Sequence, residues 1–211
     1  MQEIGFYSYI IASVGYLILL LLILAARVDS LNSKVLFAAV LATALWSFSV
    51  GFIGIYQLPI IYTFVPEMVK NLLWGMLCIN LLLKKSKLHA LFSLNHQFTW
   101  FYFTVLGTAV FFTLAMNGLL TDIYWLFMGL LTISISHLVM VEFLYRQGSA
   151  EFKWGFKPLA MAISSYAIVD LTIYSTSLLT AQLNHQLFWL RGIVYILIIP
   201  LLIIGIKRQE S

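Results

Sequence analysis

Glu67 and Lys70 stand three residues apart in PEMVKNLLWG, at the head of a run that is otherwise apolar as far as Leu83. Residues at that spacing share one face of a helix, and Asn71, Trp74 and Cys78 continue the same face. Asp170, Arg191, Glu142 and His137 are likewise set within or at the ends of apolar runs. An ionisable side chain costs about 2.5–3.5 kcal/mol at the centre of a membrane helix on insertion scales, so such residues face the bundle interior and pair with one another. Glu67, Lys70, Asp170 and Arg191 are two acids and two bases whose charges sum to zero, a combination that a low-dielectric interior tolerates.

Helical phase gathers further polar residues around these four. Tyr166, Asp170, Tyr174 and Ser177 form one stripe, and Arg191 aligns with Tyr195. The expected pairings are Lys70 with Asp170 and Glu67 with Arg191, with the swapped arrangement left open. Two uses fit the cluster: holding helices together, or lining an outward-opening pocket that senses a ligand. His137 shares a face with Ser134, which fits a hydrogen-bonded packing residue or a proton relay. Glu142 and Arg146 at i, i+4 read as a surface pair worth a few tenths of a kcal/mol.

Other chemistry is set aside by what the residues lack. The last apolar run, LFWLRGIVYILIIPLLIIGI, has no lysine for a retinal Schiff base, and His137 is the sole histidine at membrane depth, too few for a bis-histidine haem. No Gly-rich phosphate loop, HExxH or GxSxG occurs. The single cysteine, Cys78, excludes a disulfide within the chain. His89 and His96 could be read as metal ligands, but a short amphipathic interfacial segment places them on its polar face opposite Leu88, Leu91 and Phe92. The reading is of no catalytic residue, no cofactor and no metal.

The elements that must position these residues are membrane helices. Of the 211 residues, 62% are hydrophobic and 9% charged, with a mean hydropathy of +0.98. Soluble domains carry about 25% charged residues, and a chain this apolar needs lipid as its solvent. Seven segments reach the roughly 20 apolar residues that a span requires: Phe6–Ala26, Val35–Tyr56, Pro66–Leu83, Phe98–Met116, Ile123–Leu144, Pro158–Leu179 and Leu187–Ile206. Pro66 and Pro158 are expected in first turns, and Pro200 is expected to kink the seventh helix. The sequence thus predicts an all-α integral membrane protein, a single bundle of seven transmembrane helices over residues 1–211 with no soluble domain.

Basic residues orient the bundle. Arg27 and Lys34, then Lys84, Lys85 and Lys87, then Arg146, Lys153 and Lys157, and lastly Lys207 and Arg208 fall on alternate connections and the C-terminus. The intervening connections have no Lys or Arg. The positive-inside rule puts the N-terminus outside and the C-terminus inside. The net charge of +4 therefore reads as orientation and not as affinity for nucleic acid.

Several stretches carry a resemblance: ATALWSFSVG, VKNLLWGML, VEFLYRQ, KWGFKPLAM, YAIVDLTIYSTSLL and LFWLRGIVYILIIPLLIIGIKRQ, in this order along most of the chain. The polar landmarks are Lys70-Asn71 with Trp74, Glu142 with Arg146, Lys157-Pro158, Asp170 with Tyr174, Trp189 with Arg191, and Pro200. The chain resembles the N-terminal membrane region of the PrsK family, the sensor histidine kinases of the exosortase/PEP-CTERM system in Gram-negative bacteria. The resemblance implies a multi-pass sensor in the bacterial inner membrane, which acts in two-component signal transduction on a cytoplasmic GAF and kinase output paired with a response regulator. It leaves open a homodimer through the membrane domain. The family's phosphoacceptor and ATP-binding motifs do not occur in these residues, so only the sensor role carries over. The alternative is a small inner-membrane transporter or channel component that uses the charged cluster as a substrate or proton site.

Overall fold

The computed structural model describes residues 2–25, 31–83, 98–118 and 124–210. Among them the chain is helical throughout, with seven long α-helices: α1 (Gln2–Ala25), α2 (Leu31–Ile55), α3 (Phe64–Leu83), α4 (Thr99–Met116), α5 (Tyr124–Gln147), α6 (Ala150–Thr180) and α7 (His185–Glu210). A short 3-10 turn (Ile60–Thr63) leads into α3. His89, His96 and the basic residues of connections 26–30 and 84–97 lie outside the described residues.

Helix–helix packing closes a ring. α1 packs on α2 and α7, α2 on α3, α3 on α5, α5 on α6, and α6 on α7. α4 stands outside this ring against α3 and α5. That position explains its composition: TWFYFTVLGTAVFFTLAM has no charge, and only Phe101, Val105 and Thr108 are buried.

Six helices, all but α3, are long and apolar enough to cross a membrane, which makes the chain a multi-pass membrane protein by length and composition. α3 falls outside that set, and it carries Glu67, Lys70, Asn71 and Asn80. All four are buried, so the polarity of α3 is turned into the ring and away from its outer surface. Exposed Tyr and Trp residues sit at both ends of the bundle, Tyr56, Tyr62 and Trp125 at one and Trp100, Tyr145 and Trp154 at the other. Amphipathic rings take that place at the two membrane–water interfaces.

Most helices outlast their apolar runs by a turn or so, because the run marks the hydrocarbon slab and not the helix ends. α6 departs furthest from expectation. It starts at Ala150, capped by the Ser149 hydroxyl, which accepts from the amide of Phe152 at 3.2 Å, with Glu151 in the first turn. Pro158 is therefore inside the helix and not in its first turn. Proline has no N–H to offer the carbonyl four residues earlier, that of Trp154. Arg208, near the end of α7, offers a donor instead: its Nη1 lies 3.4 Å from the Trp154 oxygen, and its guanidinium stacks 4.1 Å over the Trp154 ring.

Close helix approaches rely on glycine. A Cβ on Gly192 of α7 would stand 2.2 Å from the Ser8 hydroxyl and 3.1 Å from the Tyr9 amide nitrogen of α1. That contact sits one residue beyond Arg191 and sets how near α1 comes to the centre of the ring. α6 and α7 are joined by a turn in which Ala181 adopts a left-handed backbone with φ 52°. Asn184 caps α7 by accepting from the Leu187 amide at 3.1 Å, and its own amide donates to the Ser177 hydroxyl at 3.2 Å. α7 continues as one helix through Pro200.

Candidate functional site: a buried charge cluster

The ring interior brings together Glu67 and Lys70 from α3, Asp170 and Tyr174 from α6, and Arg191 and Tyr195 from α7. Each of these six residues is at most 1% exposed. Arg191 is the junction. Its Nη2 faces Asp170 Oδ1 at 2.6 Å and also pairs with Glu67 Oε1. Its Nη1 donates to the Tyr174 hydroxyl at 3.3 Å, and that hydroxyl in turn donates to Glu67 Oε1. Lys70 Nζ lies 3.7 Å from Asp170 Oδ2 and donates to the Tyr195 hydroxyl at 2.7 Å. Lys70 thus meets Asp170 and Glu67 meets Arg191, while an additional contact between Arg191 and Asp170 joins the two pairs into one network.

This geometry is what burial demands. A carboxylate out of water needs donors or counter-charges: Glu67 accepts charge-assisted hydrogen bonds from Arg191 and Tyr174, while Asp170 is held between Arg191 and Lys70 by ion-pair contacts. The planar fork of arginine sends Nη1 to Tyr174 and Nη2 to both carboxylates, a spread of donors wider than a compact ammonium presents.

Sequence reasoning missed Trp46. This α2 residue is fully buried, with Lys70 Nζ 4.0 Å and the Arg191 guanidinium carbon 4.5 Å from its ring centre. Two cations share one indole, and the negative ring face offsets part of their mutual repulsion. Tyr9 of α1 meets Trp46 edge-on at 5.5 Å, and the Tyr195 ring lies 4.8 Å from it. A readable signal existed: a tryptophan in mid-span is out of place in an interfacial belt, and in a bundle with buried cations its ring face has a use.

Asn71 contributes its backbone carbonyl, to which His137 Nε2 of α5 donates at 3.1 Å. His137 is buried, and its ring meets Phe101 and Tyr166 at 5.5 Å each, both edge-on. Tyr166 continues to Tyr195 at 6.3 Å and Trp74 at 5.8 Å. The Trp74 indole donates to the Thr43 hydroxyl at 2.9 Å and ties α3 to α2. His137 is thus hydrogen-bonded and packed next to the cluster without belonging to its ion pairs. Ser177, on the same stripe as Asp170, serves the α6–α7 turn and not the cluster.

Glu142 is not part of the site. It pairs with Arg146 at 2.6 Å on the outside of α5, both side chains being more than half exposed. Among the described residues no group of three His, Cys, Asp or Glu side chains is placed to hold a metal. Cys78 is buried and unpaired. Comparison with protein-family models, with curated proteins and with solved structures found no match to this chain.

Proposed function

We propose that this chain is a seven-helix sensory module of a bacterial inner membrane, N-terminus outside, that passes a membrane or periplasmic stimulus to a cytoplasmic histidine-kinase output. The observation that carries the reading is that Arg191 of α7 is held by carboxylates of both α3 and α6. α7 cannot shift at that end without breaking charge-assisted bonds, so its position and the state of the cluster are one variable. α3 counts as the seventh span because its charges are paired within the ring, where they do not face lipid. The orientation rests on the basic residues, which gather on alternate connections and at Lys207 and Arg208. The histidine-kinase output and the PrsK type rest on the resemblance alone. A stimulus moves such a device only by binding its two arrangements unequally.

The test uses inverted membrane vesicles that contain the chain and its cytoplasmic kinase, with autophosphorylation followed as lipid composition and periplasmic solutes are varied. The wild type is expected to respond, and the charge-neutral pair Glu67→Gln with Arg191→Met is expected to insert normally and hold the output at one level. Equal responses in both would end the sensory assignment.

A second reading is favoured by one observation. Ion pairs and hydrogen bonds run from Glu67 through Arg191, Asp170 and Lys70 to Tyr195, and the Tyr166 ring lies between Tyr195 and His137, so titratable groups line up as a proton-coupled transporter would use them. Proton uptake into proteoliposomes that Asp170→Asn abolishes would establish that reading in place of the first.

A further inference from the structure

A groove of about 500 Å³ opens between α5 and α6, at the end of the bundle away from the charge cluster. Its polarity changes along its length. Glu142, Arg146 and Lys157 line the end near the α5–α6 connection, and Leu138, Met161 and Ser164 line the end nearer the middle of both helices. From Leu138 to Arg146 is eight residues of helix, about 12 Å. Tyr145 lines the groove too, and Trp154 is exposed one turn before Lys157, so the charged mouth lies at the level where aromatic side chains meet lipid headgroups.

The mouth is cationic. Glu142 is already matched by Arg146 at 2.6 Å. Lys157 is exposed and has no acidic partner among the described residues. Lys153 adds a second cation beside the mouth, with its Nζ 5.8 Å over the Tyr145 ring. A cationic, headgroup-level mouth continuous with an apolar channel toward the bilayer centre matches one amphiphile: a phosphate diester at one end and a hydrocarbon chain at the other. We propose that this groove is a binding site for an anionic phospholipid, with the phosphate between Arg146 and Lys157 and an acyl chain along Leu138 and Met161. The proposal rests on the membrane-spanning reading but not on the sensory one.

The test is retention of lipid by the full chain, released from mixed micelles of equimolar phosphatidylglycerol and phosphatidylcholine and weighed by native mass spectrometry. Basic residues near a membrane surface each favour anionic lipid enough that the wild type is expected to keep phosphatidylglycerol in about tenfold preference. The double change Arg146→Gln with Lys157→Gln, at two exposed positions, is expected to remove the preference, and Lys207→Gln, outside the groove, to leave it. Met161→Trp fills the apolar channel without altering charge and is expected to cut total retention. Equal retention of the two lipids by the wild type overturns the proposal. So does a preference that the double change leaves intact, full retention in Met161→Trp, or displacement of the lipid by millimolar glycerol phosphate, which identifies a free phosphate site. A chain that does not fractionate with membranes at all overturns the spanning reading instead.

Discussion

Arg191 and Asp170 meet at 2.6 Å across the seam between α6 and α7, and through the same nitrogen Arg191 also reaches Glu67 on α3. Arg191 is therefore the only member of the cluster in contact with both acids. Removing one partner of a buried pair typically costs about 3–5 kcal/mol, because the other charge is left uncompensated. Arg191→Met, which leaves Glu67 without a cation and Asp170 with Lys70 alone, is expected to lie at or beyond the top of that range. Lys70→Met leaves Asp170 its contact with Arg191 and is expected to cost less. Arg191→Lys is expected to recover part of the loss and not all of it, since an ammonium keeps the charge but not the separate Nη1 donor to Tyr174. Unfolding in graded detergent mixtures gives the order, and Lys70→Met as damaging as Arg191→Met would contradict the network.

Paired removal is the complementary measurement. Lys70→Met with Asp170→Asn leaves Glu67 facing Arg191 and keeps the interior neutral. The double change is expected to cost less than the sum of its singles by about 1–3 kcal/mol, the range of coupling between contacting residues. Additive effects would place the two residues out of contact.

Trp46 supports two cations, so its ring face should matter beyond its volume. Trp46→Leu is expected to lower stability by about 3–5 kcal/mol through the cavity together with lost cation–π attraction, and Trp46→Phe by less, since a smaller aromatic face remains. If phenylalanine and leucine variants unfold at the same point, the ring face contributes nothing and packing alone explains the residue.

Gly192 fixes the approach of α1 to α7. Gly192→Leu is expected to push the two helices apart and lower the melting temperature sharply, while Gly192→Ala is expected to be partly rescued by Ser8→Gly, which removes the atom 2.2 Å from the new Cβ. Thermal melting of the three variants checks this, and a harmless leucine at 192 would show that the seam is loose.

Reporter fusions test orientation. Fusions after Gln57, Asp122 and Asn184 are expected to report the periplasm, and those after Lys87, Gln147 and Arg208 the cytoplasm. An inverted pattern at two or more sites would reverse the assignment.

The cluster was legible in the sequence because charge in lipid is costly: four ionisable residues with cancelling charges and related depths have few places to go but toward one another. Phase on α3 and α6 named the faces. Side-chain reach is not legible: the sequence leaves Arg191 to pair with Glu67 or, in the swapped arrangement, with Asp170, and does not show that it meets both at once. Trp46 escaped because an apolar helix hides which of its faces is special. The start of α6 was misplaced because the proline rule is local, whereas the group that relieves Pro158 comes from Arg208, fifty residues on. Glu142 was legible as a surface pair because i, i+4 spacing needs no tertiary information.

The gap that Pro158 leaves in α6 has a mechanical meaning. Beyond the turn that joins them, two polar side chains of α7 reach across to α6, Arg191 to Asp170 and Arg208 to the Trp154 carbonyl. They are seventeen residues, about 26 Å, apart. Pro200 lies between them, where the missing N–H leaves the Ile196 carbonyl without its helical bond. A helix packed along its length, as α7 is on α1 and α6, gives way first where its own backbone bonding is interrupted. Loss of the Arg191 contact is then expected to show as a bend at Pro200, with the Gly192 seam to α1 as the restraint that opposes it.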